Sequence, residues 1–228
     1  MIKYSRSCGA LSIRSSRLRG GDIQKCRFFI YVMHHIHHTK GLILTSRNNG
    51  LADRSIYIFT EELGLVIAKA RSSREIRSKL RGHLQECTQG VFSLVRGKAG
   101  WILVGAESLE HWDKNFGTGS ERLKLFVRIS VLLSRFINGE EQNKRLYGLL
   151  ESALLSMRDL SEDNLILSEF ETLFVLRILD CLGYVEDKPF LKELSFEKIN
   201  WNEGIQKIKP IKHDVLVHIN RAFKESHL

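Results

Sequence analysis

The sequence is poor in features that would mark an enzyme, a membrane protein or a disulfide-stapled domain. Its four cysteines, Cys8, Cys26, Cys87 and Cys181, lie far apart and form no CxxC or Cys/His ligand spacing, so neither a disulfide framework nor a zinc site is indicated. A reducing cytoplasm is the home this usage suggests. No apolar run approaches the roughly 18–20 residues of a membrane span. The stretch Phe28 to Met33 is too short even for a signal-peptide core, and no small-residue cleavage site follows it. HExxH, GxSxG and kinase-like sets are missing, and the GxG within Phe116-Gly-Thr-Gly-Ser120 lacks the GK[ST] of a P-loop. The acidic pairs Glu61-Glu62 and Glu140-Glu141 fall at turns or helix starts, where Glu140-Glu141 reads as support for a helix N-terminus rather than as acid–base machinery. Catalysis is not what this chain advertises, and no cofactor is implied.

What is present is a core and an uneven charge. With 228 residues and 43% hydrophobic content the chain suits one large domain or two small ones. The formal net charge is +9, of which residues 1–32 supply +6 from seven basic residues and one acid. Residues 33–117 carry a further +4 and residues 118–228 a net of −1. The basic excess therefore sits in the first half. Residues 1–32 are Ser- and Arg-rich without a hydrophobic period, and three readings apply: a transit-like presequence, a basic nucleic-acid-binding arm, or an upstream extension outside the working protein. The last is preferred, because Met33 directly precedes the first well-patterned strand. His34, His35, His37 and His38 follow, with no Asp, Glu or Cys nearby to complete a ligand set, and are not assigned to a metal.

From Lys40 the pattern is that of a small β-barrel. Lys40–Arg47 is strand-like and ends at the turn signal Asn48-Asn49-Gly50, and Arg54–Thr60 alternates as a half-buried strand should. Leu65–Arg71 follows, then an extended segment from Ile76 to Glu86. Val91–Arg96 and Trp101–Ala106 pair across the turn Gly97-Lys98-Ala99-Gly100. Five strands in so short a span favour closure into a barrel, which removes exposed edges. After a connector over Glu107–Ser120 the period becomes helical, with helices over Glu121–Ile137 and Asn143–Met157. A third is opened by the capping-box spacing Ser168 to Glu171 and closed by Gly183, and a last amphipathic one carries Val215 to Phe223. The third is apolar all round and belongs at the centre of the second domain, with Cys181 as a small core residue. The expected organisation is α+β: a basic extension over 1–32, a barrel domain over 33–112, and an all-α domain over 113–228.

The densest charge is Gly64 to Gly82, where Lys69, Arg71, Arg74, Arg77, Lys79 and Arg81 face a single acid, Glu75. As a strand, Ile76–Glu86 would put Arg77, Lys79 and Arg81 on one face; as a helix, Arg74, Arg77 and Arg81 would share one. A nucleic-acid-binding barrel needs cations along a phosphate path and aromatic faces for bases. Arg47, Arg54, Arg96 and Lys98 extend the cationic set. Among Tyr57, Phe59, Phe92 and Trp101, the polar groups of Tyr57 and Trp101 suit them to a wet face.

In order along the chain, His38-Thr-Lys-Gly-Leu-Ile-Leu44, Gly50-Leu-Ala-Asp-Arg54, Phe59-Thr-Glu-Glu-Leu-Gly64, Ser78-Lys-Leu-Arg-Gly82 and Phe170 through Tyr184 resemble the RecO family of bacterial DNA repair proteins. The resemblance runs from about Ile36 to Tyr184. It implies an N-terminal five-stranded oligonucleotide-binding (OB) barrel followed by a helical domain. It also implies binding of single- and double-stranded DNA, strand annealing, and work with RecR to help load RecA onto DNA covered by single-strand-binding protein, whose acidic, apolar C-terminal tail the family docks. The implied setting is the bacterial cytoplasm, at the nucleoid. Many members carry a four-cysteine zinc module in the helical domain; here that region holds Cys181 alone, and a zinc site is not expected. An acidic tail with an apolar end needs a cation beside an apolar pocket, and Arg128, Arg135 and Arg177 are the cations of the helical region suited to that. A second reading, from another class, is an adaptor whose helices bind a protein partner while the barrel supports them.

Overall fold

The computed structural model describes residues 35–137, 139–195 and 198–225. The expectations for the basic extension over 1–32, for Met33 and for His34 lie outside the described residues. Five strands are present: β1 (Ile36–Asn49), β2 (Asp53–Thr60), β3 (Gly64–Ala70), β4 (Thr88–Gly97) and β5 (Gly100–His111). They close in the order β1-β2-β3-β5-β4, all neighbours antiparallel except the short parallel pairing of β3 with β5 through Ala68↔Trp101 and Lys69↔Ile102. This is the OB arrangement. β1 serves two neighbours at once, pairing with β4 over Ile36–Leu42 and with β2 from Gly41 onward. Gly41 sits at the changeover, where a Cβ would lie 2.7 Å from the Ile58 side chain, so the close approach of β2 there requires glycine.

The alternation of each strand sorts its side chains between two cores. Ile43, Ile56, Ile58, Val66, Ala68, Phe92, Leu94 and Leu103 fill the barrel. Leu42, Leu44, Phe59 and Leu65 point outward yet are buried, because they join the core of the helices. The barrel and the helices thus share one apolar cluster, in which Phe59 lies 5.7 Å from the Tyr147 ring.

The helices are α1 (Trp112–Phe116), α2 (Glu121–Phe136), α3 (Lys144–Asp159), α4 (Asn164–Cys181), α5 (Pro189–Glu193), α6 (Trp201–Ile208) and α7 (Lys212–Glu225). Ser120, Asn143, Asp163 and Asn200 cap α2, α3, α4 and α6 by accepting from backbone N–H groups two or three residues on. α4 is central, touching α2, α3, α6 and α7, as its all-round apolarity requires. Gly183, at φ 80°, ends it in the left-handed conformation.

The structure corrects several boundaries. Ile76–Glu86 is neither strand nor helix: residues 71–87 run as successive turns with one 3₁₀ turn at Arg81–His83. The reason is the barrel's open end, which this segment closes with Leu84, fully buried, and Leu80 beside it. The capping-box spacing at Ser168 lies inside α4, which opens at Asp163 instead, because the apolar run Leu165–Leu167 continues the helix toward its N-terminal side. The connector over Glu107–Ser120 contains the end of β5 and all of α1. Glu140-Glu141 supports no helix end, since Asn143 caps α3 and Glu140 is drawn to Arg96.

Candidate nucleic-acid interface

Outward-facing residues of β1, β2 and β3 line up across the sheet by register. One row is Arg47, Ser55 and Lys69, and the next is Thr45, Tyr57 and Ile67. Arg47, exposed, holds its guanidinium 5.2 Å from the centre of the Tyr57 ring, which is partly buried beside the helical core. Ile67, half exposed at 51%, extends the apolar strip beside Tyr57. Farther along the same outward face Phe59 and Leu65 pass under the helices, so the open patch is bounded by the helical domain.

The basic loop is tied to this patch. Asp53, at the start of β2, accepts from the Ser72 backbone N–H at 2.9 Å and pairs with Lys69 at 3.0 Å. Those two contacts hold its carboxyl below the usual range, the Ser72 hydrogen bond first and Lys69 next. Arg74 is fastened as well, its backbone N–H to the Ala52 carbonyl and its guanidinium to that of Gly50 at 3.2 Å. The loop therefore starts from a fixed point beside the turn joining β1 and β2. Arg71, Arg77, Lys79 and Arg81 are exposed, and none makes an ion pair among the described residues. Leu84, buried, and Leu80, partly buried, face the barrel, while Arg81 between them and Arg77 and Lys79 before them are exposed. In water, unpaired surface cations carry condensed-counterion exchange with a polyanion at little desolvation cost.

Other residues expected at the site stand elsewhere. Trp101 is 7% exposed and points into the barrel, with the His37 ring edge-on at 5.3 Å. It shares the inward parity of Leu103, so it is not a surface stacking platform. Arg96 covers its ring at 5.1 Å and pairs with Glu140, whose carboxyl that contact holds below the usual range. Arg96 is thereby a neutralised clasp between the β4–β5 hairpin and the segment before α3. Arg54 shares inward parity with Ile56 and reaches Asn48 and the Leu84 carbonyl, at the barrel's end rather than on the β1–β3 face. Lys98 is exposed at the β4–β5 turn. Phe59 and Phe92 are core.

In the helical region, Arg177 is fully buried and therefore absent from any docking surface. Its Nε donates to the Leu194 carbonyl at 3.0 Å and its Nη2 to that of Ile199 at 2.8 Å, with the guanidinium 4.4 Å from the Trp201 ring centre. It organises the α4–α6 junction, a role invisible in a sequence where its acceptors are unspecified backbone carbonyls. Arg128 and Arg135 flank an apolar groove of about 360 Å³ formed by Val127, Val131, Leu132, Phe136 and Phe223. Arg128 is held by Glu171 through two hydrogen bonds of 2.8 and 2.9 Å. Arg135 makes no ion pair among the described residues. Among the described residues, no group of three or more His, Cys, Asp or Glu side chains is placed to hold a metal ion, and no helix is long and apolar enough to cross a membrane.

Sequence reasoning missed Asp53 and Glu140, which fix the basic loop and Arg96. Their partners lie up to 44 residues away, so no local spacing announces them.

Residues 33–103 match the family described as Recombination protein O N terminal. The DNA repair protein RecO of Dehalococcoides mccartyi (strain CBDB1) is 31% identical over 161 residues, covering 71% of this chain and 60% of that protein. RecO of Roseiflexus sp. (strain RS-1) is 27% identical over 176 residues, 77% of this chain and 59% of that protein. RecO of Alkaliphilus metalliredigens (strain QYMF) is 28% identical over 153 residues, 67% of this chain and 59% of that protein. The barrel is thus an OB domain of the RecO N-terminal class. The chain that carries it is similar to RecO proteins along most of its own length, and the match spans about 60% of the length of these curated relatives.

Proposed function

We propose that the protein is a non-enzymatic DNA-binding and strand-annealing factor of recombinational DNA repair, working in the bacterial cytoplasm at the nucleoid. The observation that carries this reading is the outward β1–β3 face, with Arg47, Tyr57 and Lys69 beside a loop of four exposed, unpaired cations. The cations Arg71, Arg77, Lys79 and Arg81, helped by Arg74 and Arg47, neutralise phosphates of both strands and lower their mutual repulsion. Tyr57 and Ile67 offer a surface on which unpaired bases rest. Phosphate contacts carry little sequence information, so binding is sequence-tolerant and covers single- and double-stranded DNA.

The groove between Arg128 and Arg135 supports docking of the acidic, apolar C-terminal tail of single-strand-binding protein, with Arg135 as the cation that meets its carboxylates. This gives the protein a way onto DNA already covered by that partner. Similarity to RecO proteins supports action with RecR to help load RecA. The helical groove also favours the adaptor reading, in which partner binding persists without annealing. One experiment separates the two: annealing of complementary oligonucleotides by the full chain, with single-stranded DNA affinity measured across a salt series. Annealing with a steep salt slope upholds the DNA role. Tail-peptide binding without annealing or DNA affinity leaves the adaptor.

A further inference from the structure

A second cavity, of about 410 Å³, opens where the outward face of β1 and β2 meets α2. From the barrel it is lined by Arg47, Tyr57 and Glu86, and from α2 by Ser130, Ser134 and Arg135, with an apolar wall that includes Val127 and Val131. The volume falls within the roughly 300–1,000 Å³ range of small-ligand sites. Two features mark it as more than a packing gap. Ser130 is only 4% exposed, yet its hydroxyl has no hydrogen-bond partner among the described residues. A buried unpaired hydroxyl is a standing cost that a bound polar group would relieve. Moreover, Arg47 and Arg135 face the same cleft from two different elements, and neither makes an ion pair among the described residues.

The cleft also contains a carboxylate. Glu86 is oriented by three donors to its Oε1: the Ser46 N–H at 2.9 Å, the Thr45 hydroxyl at 3.2 Å and the Ser46 hydroxyl at 3.3 Å. A fixed acceptor carboxylate repels an acidic peptide but suits the exocyclic amino group of a nucleobase. Two guanidiniums suit its phosphate, and the Tyr57 ring with its Arg47 partner suits its π-face.

We propose that this cleft receives one unstacked nucleotide of a single DNA strand as the strand leaves the β1–β3 face. Arg47 and Arg135 hold the phosphate, Tyr57 lies against the base, and Ser130 and Glu86 meet its polar edge. The inference rests on the DNA-binding reading above and adds to it a base-inserting site between the barrel and the helical domain. Because a paired base cannot enter, the cleft discriminates single strands from duplex.

The test uses the full chain and a short oligodeoxycytidylate carrying one 5-iododeoxyuridine, photocrosslinked and mapped by mass spectrometry. An adduct on Tyr57 or on the Ser130 segment of α2 is expected. Ser134→Trp, made at a half-buried position on the cleft wall, plugs the space; it should abolish that adduct and lower single-strand affinity about five- to tenfold while duplex affinity stays unchanged. Ser130→Ala, which conserves volume and fold, should weaken single-strand binding in the same sense by a smaller factor. Unchanged single-strand affinity in a folded Ser134→Trp protein overturns the cleft while the DNA-binding reading stands. So does a variant that loses affinity for an acidic peptide and keeps its DNA affinity. A wild-type protein that binds no single-stranded DNA overturns both.

Discussion

Replacing Arg71, Arg77, Lys79 and Arg81 together with glutamine removes the loop's unpaired charge without breaking any ion pair among the described residues. Exposed substitutions of this kind change stability by no more than about 0.5 kcal/mol, so the fold should survive. Each phosphate contact contributes about 0.7 to the slope of log affinity against log salt for a single strand, so four lost contacts flatten it by about 2.8. Between roughly 50 and 200 mM salt that amounts to about a 50-fold change in affinity that the variant no longer shows. The assay is fluorescence anisotropy of a labelled single strand, repeated across salt. A matched variant removing Lys114, Lys198, Lys209 and Lys224, all exposed and outside the loop, lowers net charge equally and should leave the slope nearly intact. Arg96→Gln should also leave it, because Glu140 already neutralises that guanidinium. An unchanged slope in the loop variant, or an equal loss in the matched one, would refute the assignment of the loop as the phosphate path.

Three further outcomes follow from the fold. Arg177→Ala strips the hydrogen bonds from the Leu194 and Ile199 carbonyls inside the core and should cost about 3–5 kcal/mol in urea unfolding, with Arg177→Lys recovering only part because a single ammonium cannot span both acceptors. Gly64→Ala places a Cβ 2.2 Å from the Glu141 carbonyl oxygen at a φ of 68°, and backbone cannot step aside cheaply. It should destabilise by about 2 kcal/mol and lower Tm by about 4–8 °C in a thermal melt. Burial pushes the Cys87 thiol up to about 12 from 9.0, so the native thiol should resist iodoacetamide near neutrality and react once denaturant is added. In the window between those two values the unfolded chain has released the thiol proton and the folded chain still holds it. Stability should therefore fall as pH rises through that window, and Cys87→Ala should remove this part of the alkaline loss.

The sequence by itself determined what depends on short-range pattern. The alternation in Arg54–Thr60 and the turn at Gly97–Gly100 specify strands and a hairpin, and the apolar period of residues 121–136 specifies a helix, because side-chain direction repeats every two or 3.6 residues and burial selects the repeat. The ordered set of family-like segments specified the OB barrel and the RecO relationship. The concentration of cations between Lys69 and Arg81 was equally plain. Tertiary structure decided what those cations do. Leu80 and Leu84 became the barrel's plug, which broke any regular element over residues 76–86 and left Arg77, Lys79 and Arg81 on the solvent side. Parity within closed strands sent Tyr57 outward and Trp101 inward, although both carry a polar group on an aromatic ring. Three arginines with equal standing in the sequence, Arg128, Arg135 and Arg177, became an ion-paired, an unpaired and a buried side chain respectively. Charge is written in the residue, but whether it is neutralised or desolvated depends on partners dozens of positions away, and only the folded chain brings those together.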